Sequence, residues 1–316
     1  MKMGIKTIGY ILGGCAAASY GTNPLFALPL YAEGLSPDTV LFFRYLFAIP
    51  LLGIMLKTRG RNFRINRKDI FPLVAMGLLV ALSSLTLFES YNYMNVGIAS
   101  TLLFIYPILV AVIMTAVFKE RFTLQTALCL TGASAGIALL CIGEGGIVLS
   151  LTGTGLVFLS SLSYAIYMVA VNHGRLKDVA TLKVTFYVLL FGLGLFVIRL
   201  YAGSGLQIPP LEKWHLWVNF AALAVFPTAI SFLCTTAAVK YIGSTPTAIL
   251  GALEPVTAVL IGIAVFGESI TIRECLGFIL IITSVSAVVA GGSITKHIVR
   301  IRKLFPRLPG KPQSRL

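Results

Sequence analysis

Long apolar stretches recur along the whole chain, separated by short polar or charged connections. Ten of them approach the roughly 20 residues that a membrane-crossing helix needs. They fall at 6–31, 39–56, 70–93, 97–118, 125–142, 154–172, 182–202, 215–239, 245–266 and 274–292. The longest connection, between the second and third stretch, runs about 13 residues, within the usual range for helix neighbours. The first stretch is flanked by Lys2 and Lys6 and imitates a leader peptide. It is too long for one, and Pro24 and Pro29 stand where no small-residue cleavage site is clear, so it reads as a span. The pattern predicts an all-α integral membrane protein of ten transmembrane helices.

Composition narrows the class further. Of 316 residues, 57% are hydrophobic and only 11% are charged, against about 25% charged in soluble domains. Mean hydropathy is +0.93. A disordered chain is excluded, because such chains are poor in apolar residues. No room is left beside the spans for a soluble catalytic domain. The net charge of +14 would point to nucleic acid in a soluble protein. Here the basic residues cluster in Lys57–Lys68 and Lys296–Arg315, next to apolar stretches. That placement predicts attraction to membrane lipids and no nucleic acid.

With the N-terminus inside, 21 Lys and Arg fall on the inner side, and only Arg199, Lys213 and Arg273 on the outer side. Arg44 lies within the second span. The split predicts both termini in the cytoplasm and a multi-pass protein of the plasma (inner) membrane. Cys15, Cys129, Cys141, Cys234 and Cys275 lie in or beside apolar stretches, without metal-site spacing. They read as packing residues rather than disulfide partners. No metal, cofactor or enzyme motif is found: the chain has no Walker A loop, HExxH, GxSxG or dinucleotide glycine pattern.

The chain also repeats itself. Tyr93–Thr123 aligns without gaps on Tyr241–Thr271 at an offset of 148, with 9 identities in 31 positions. Pro107/Pro255, Phe118/Phe266, Glu120/Glu268 and Thr123/Thr271 are among them, and Pro and Glu are rare in spans. Ser19-Tyr20 and Ser163-Tyr164 match more weakly in spans 1 and 6. The repeats are 6–142 and 154–292, followed by a basic cytoplasmic tail, 293–316. Each has five spans, an odd number, so the second must enter the membrane with opposite polarity. Two inverted five-helix repeats around a central cavity carry the logic of alternating access.

The segments Leu253-Glu254-Pro255-Val256 and Phe266-Gly267-Glu268-Ser269-Ile270-Thr271, with counterparts Tyr106-Pro107-Ile108-Leu109 and Phe118–Thr123, resemble the EamA family of the drug/metabolite transporter superfamily. Phe43-Arg44-Tyr45 is also similar. The resemblance covers nearly the whole chain as two EamA repeats. It implies a membrane transporter, often an exporter of amino acids or related small metabolites. This chain departs from the family at Lys119, where Gly is usual, and at Glu89, where a small or neutral residue is common. The second departure bears on substrate choice.

Several polar residues fall inside the spans. Glu254 sits about eight residues into span 9, about 12 Å deep. A charge there is costly, so this residue should face a cavity or a partner, or be protonated. The plainer alternative is a neutral Glu that hydrogen-bonds a neighbouring helix and stiffens the kink at Pro255. Tyr106 occupies the aligned position in span 4, before Pro107. Tyr20 and Asn23 share one helix face, as do Tyr164 and Tyr167, and all four are cavity candidates beside ordinary packing. Pro24, Pro107, Pro227 and Pro255 are candidate helix bends.

Arg44 either snorkels to the headgroups or pairs with Glu89 near the outer ends of spans 2 and 3, as an outer gate. Glu120 and Glu268 are expected to complement the dipole of the following helix. Gly9-xxx-Gly13 and Gly132-xxx-Gly136 predict close helix contacts.

The sequence thus predicts a gradient-driven or facilitative transporter. Spans 1, 3, 4, 6, 8 and 9 should line a cavity for a small polar or amphipathic solute, and a monomer suffices. The alternatives are a non-transporting membrane scaffold, which predicts a filled centre, and a membrane-embedded lipid-modifying enzyme. The enzyme would need convergent His, Asp or Cys groups at one depth.

Overall fold

The computed structural model describes residues 4–93, 99, 102–120, 123–141, 150–173, 175–203, 205–266, 272–273 and 275–287, and the side chains of nearly all of them. Glu268 and the basic tail lie outside this set. Helices dominate, and there is no strand among the described residues. The first repeat holds α1 (Ile5–Gly21), α2 (Asn23–Ala32), α3 (Pro37–Thr58), α4 (Arg67–Ser90), α5 (Tyr106–Ala116) and α6 (Leu124–Cys141). The second holds α7 (Leu151–His173), α8 (Thr181–Ala202), α9 (Trp214–Leu223), a π-helical turn (Ala224–Ile230) and α10 (Ser231–Ile242). It continues with α11 (Ser244–Leu250), α12 (Leu253–Phe266) and α13 (Cys275–Ala287). Five stretches are long and apolar enough to cross a membrane: Pro37–Thr58, Arg67–Ser90, Leu151–Val171, Thr181–Ala202 and Trp214–Ile242.

Local signals set the helix starts. The Ser36 hydroxyl accepts the Thr39 N–H at 3.3 Å, and Pro37 fills the first turn of α3, where a missing N–H costs nothing. The Asn66 side chain accepts the Lys68 N–H at the start of α4. The Thr123 hydroxyl caps α6 by accepting the Thr126 N–H at 3.1 Å.

Three predicted spans are not single helices. Span 1 breaks at Thr22, whose backbone N–H and hydroxyl both turn back to the Ser19 carbonyl. Pro24 sits in the first turn of α2 and cannot donate to the preceding turn. Span 9 breaks at Gly251-Ala252, just before Pro255. In span 4, α5 starts at Tyr106, with Pro107 in its first turn. Span 8 stays continuous but is wound as a π-helix around Pro227.

The repeats interlock through matching pairs. The α1 helix packs along α10, and α4 packs along α7. Each pair is clasped by a serine hydroxyl. Ser231 donates to the Ala16 carbonyl at 3.0 Å, and Ser160 donates to the Ser83 carbonyl at 2.7 Å. Ser83 and Ser231 are separated by the repeat offset of 148. Direction follows from α10. Beyond the C-terminal end of α1, Phe26 stacks on Phe226 just before α10 begins, whereas Met168, near the C-terminal end of α7, accepts a bond from Ser244 just after α10 ends. The equivalent helices α1 and α7 therefore run in opposite directions.

Glycines allow the close approach. A Cβ on Gly9 would lie 2.6 Å from the Ile242 side chain, and one on Gly13 would overlap Leu250. One on Gly136 would lie 2.7 Å from the Gly277 carbonyl, where α6 meets α13. Both small-residue pairs read from the sequence are helix contacts. Of the described cysteines, Cys129 packs in the interior, while Cys15 and Cys275 are exposed on the surface of the bundle.

Candidate functional site

At the centre, six of the predicted spans meet around a cavity of about 40 Å³. By the usual requirement of about 10–15 Å³ per water, that is room for about three waters. Tyr20, Tyr106, Tyr164 and Glu254 all reach it. Much of the lining comes from positions equivalent between the repeats. Ser83 and Ser231, Leu87 and Thr235, Leu103 and Gly251, and Tyr106 and Glu254 are each 148 apart. The cavity is therefore built from two copies of one surface. Its second-repeat half is the more polar, with Thr235 at the position equivalent to Leu87 and Glu254 at that equivalent to Tyr106.

Glu254 stands in the first turn of α12, just after the break. Its backbone N–H bonds the Gly251 carbonyl at 2.9 Å. No side chain among the described residues hydrogen-bonds its carboxyl group, which lines the cavity. The Tyr106 hydroxyl instead donates to the Ala248 carbonyl at 3.2 Å, across the repeats. Its ring meets Tyr164 edge-on at 5.1 Å.

Two of the predicted cavity residues lie elsewhere. Tyr167 stacks beside Tyr164 at 6.0 Å but points behind it, with its hydroxyl 3.2 Å from that of Thr236. Asn23 lies beyond the break at Thr22, so the three-residue spacing from Tyr20 no longer puts the two on one face. Ser83, Ser231, Thr235 and Thr247 line the cavity and carry no sequence signal of their own. Extending the offset of 148 from span 4 back into span 3 finds Ser231 and Thr235 from Ser83 and Leu87.

Arg44 corrects the sequence reading. It neither snorkels nor pairs with Glu89. Its side chain is buried at 1% exposure. Nε donates to the Thr228 hydroxyl, Nη2 to the Pro227 carbonyl at 3.0 Å, and Nη1 to Asn23 Oδ1 at 3.4 Å. The π-helical turn presents the Pro227 carbonyl to it, an irregularity common at functional sites. The guanidinium carbon lies 5.4 Å from the centroid of the Tyr20 ring, within cation–π range. The partner of Glu89 is Arg199, which also bonds Asp38 at 3.3 Å.

Polar contacts tie the elements together at both ends of the bundle. At one end, the Glu33 end, Arg199 joins α8 to α3 and α4, and Lys213 pairs with Glu33. The Ser36 N–H donates to Gln207 Oε1 at 2.6 Å. The Lys213 ammonium, bonded to Glu33, holds that carboxyl below the usual carboxylate range. At the opposite end, Tyr187 donates to the Phe63 carbonyl at 2.6 Å, and Lys183 to the Arg64 carbonyl at 3.1 Å. There Lys240 donates to the carbonyls of Leu176 and Val179. Glu120 accepts a bond from Thr245 at 3.2 Å, so it ties the first repeat to α11.

The EamA-like transporter family matches twice, over residues 7–142 and 151–290. An uncharacterized transporter of Archaeoglobus fulgidus is 28% identical over 273 residues, covering 85% of this chain and 92% of its own. The uncharacterized inner membrane transporter YicL of Salmonella typhimurium is 25% identical over 276 residues, covering 85% and 91%. The uncharacterized transporter YcbK of Bacillus subtilis is 25% identical over 260 residues, covering 78% and 81%. One crystal structure shares the fold at a TM-score of 0.78 and 16% identity, over 89% of this chain and 96% of that one. With its two matched repeats and its membrane-crossing helices, this chain is an integral, multi-pass membrane protein that belongs to the EamA-like transporter family.

Proposed function

We propose that the protein exports amino acids or related small metabolites by alternating access, either gradient-driven or facilitative. The observation that carries this reading is the central cavity. Equivalent positions of two oppositely directed repeats enclose it, and one carboxyl group, that of Glu254, lines it without a hydrogen-bonding side chain among the described residues.

A cavity of about 40 Å³ does not hold an amino acid. Solute entry therefore requires the helices at one end of the bundle to part. The irregular points at Thr22, Gly251-Ala252 and the π-helical turn are where the helices bend most readily, because backbone hydrogen bonds are already broken or rewound there. Opening the Glu33 end breaks the Arg199 and Lys213 pairs. Opening the other end breaks the Lys183, Tyr187 and Lys240 contacts.

The Lys- and Arg-rich connections favour the cytoplasm for that second end, and so the outside of the plasma membrane for the Glu33 end. Glu254, in reach of water from whichever side is open, is suited to carry a proton during the cycle. A single chain contains the whole pathway, so a monomer suffices.

The test is uptake and efflux of labelled amino acids and small metabolites in proteoliposomes, with and without a pH gradient. Movement of at least one solute above protein-free liposomes is expected, and it should respond to the gradient. If no solute moves with the folded protein present, the non-transporting scaffold becomes the better reading.

A further inference from the structure

A second chamber, of about 490 Å³, lies beside α2 toward the Glu33 end. Its volume falls within the range of about 300–1,000 Å³ common for small-molecule sites. Its walls are largely apolar and aromatic. Tyr31 meets Phe88 edge-on at 6.1 Å, and Phe88 lies 5.5 Å from Tyr91. The Tyr31 hydroxyl is buried and has no hydrogen-bond partner among the described residues. Such a group loses its bonds to water and gains none in return, unless a ligand supplies them.

Asn23 forms part of the wall nearest the protein centre. Behind it stands Arg44, joined to Asn23 by the longest of its three hydrogen bonds, 3.4 Å. No carboxylate lies within ion-pair distance of Arg44 among the described residues, although its side chain is almost fully buried. A cation held this way inside a span is costly, and Glu254, beyond ion-pair distance, is the acidic group that interacts with it across the central cavity. On its other side Arg44 faces the Tyr20 ring, a wall of the central cavity. Arg44 thus stands in the partition between the two chambers.

We propose that the second chamber is a solute site for small molecules that carry a carboxylate on an apolar or aromatic body. The body packs against Tyr31, Phe88 and Tyr91, and the Tyr31 hydroxyl gains a partner. The carboxylate displaces the long Asn23 contact and takes the Nη1 edge of the Arg44 guanidinium that this frees, whose in-plane donors suit a carboxylate. This inference rests on the transporter reading, since it makes the chamber the station between the central cavity and the Glu33 end. It adds a charge requirement for the solute.

The test is equilibrium binding of labelled phenylacetate and its uncharged isostere phenylacetamide to the full-length protein in nanodiscs, with empty nanodiscs subtracted. Phenylacetate should bind at least tenfold more tightly than the amide. Ala27→Trp, which fills the chamber, should weaken both. Arg44→Gln should remove the preference for phenylacetate. Because that variant risks misfolding, Asn23→Ala serves beside it: freeing the guanidinium should tighten phenylacetate severalfold and leave the amide unchanged.

Equal binding of the two probes, no effect of Ala27→Trp, or no binding of either to monodisperse protein overturns the proposal. Solute transport in proteoliposomes is read separately. Transport without a carboxylate preference in binding removes this site alone, whereas selective binding without transport of any solute removes the transporter reading.

Discussion

The Tyr106 hydroxyl occupies the space that a side chain at Gly251 would need, since a Cβ there would overlap Oη. The two repeats meet at this point, where the break in span 9 leaves a glycine under a phenol of span 4. Gly251→Ala should push the ring off the Ala248 carbonyl. Overpacking of this kind costs about 1–3 kcal/mol. A fall in thermal stability is expected, with solute transport reduced at least tenfold. Tyr106→Phe added to Gly251→Ala removes the overlapping hydroxyl and should recover part of the lost stability. A Gly251→Ala protein as stable and active as the parent would contradict the close contact.

The ion pairs at the Glu33 end make a separable prediction. Exchanging the charges of Arg44 and Glu89 should not restore function, because the two residues do not touch. Exchanging those of Arg199 and Glu89 should restore part of it, limited by the lost Asp38 contact. Partly exposed pairs contribute about 0–1 kcal/mol, so the readout is transport rate rather than melting temperature. Recovery by the first exchange and not the second would refute the assignment.

Glu33 gives the pH dependence a sign. Lys213 lowers the pKa of its carboxyl in the folded protein. A depressed folded value means that the pair stabilises above the ordinary carboxylate range and is lost as pH falls through the lowered value. Lys213→Met should therefore flatten the acid limb of the melting-temperature profile and leave neutral pH nearly unchanged. Added salt should act in the same direction. An unchanged acid limb in Lys213→Met would count against the pair.

The contact between α6 and α13 rests on missing side chains. Gly136→Val would drive a branched side chain into the Gly277 carbonyl and Ile281. A drop of several degrees in melting temperature is expected, measured on the purified protein in detergent. Gly194→Ala, where nothing lies within 4 Å of a new Cβ, is the control and should melt close to the parent.

Much of this arrangement is legible in the sequence. Apolar runs mark the helices because lipid leaves the backbone no other partner than itself. The paired Pro and Glu residues betray the duplication, and duplication of an odd unit fixes the inversion. Tyr106 and Glu254 can be found because cavity positions recur at an offset of 148, and Tyr20 and Tyr164 through the weaker Ser-Tyr match at an offset of 144.

Arg44 is not legible, for a physical reason. Sequence gives depth along a helix but not rotation about it, and the partners Pro227 and Thr228 lie more than 180 residues away. The break at Thr22 likewise defeats the i, i+3 rule for Asn23. Helical spacing holds only while the helix does.

The central claim is that one cavity, shared by oppositely directed repeats, opens to each side of the membrane in turn. Single cysteines at Leu87 and Thr235, in a chain with its five native cysteines replaced, test it most directly. An impermeant thiol reagent is applied to one face of oriented vesicles, then to the other. The account predicts that both positions are labelled from both faces, and that a cross-link across either closed end abolishes labelling from that face alone. Labelling from one face only, or from neither, would contradict it.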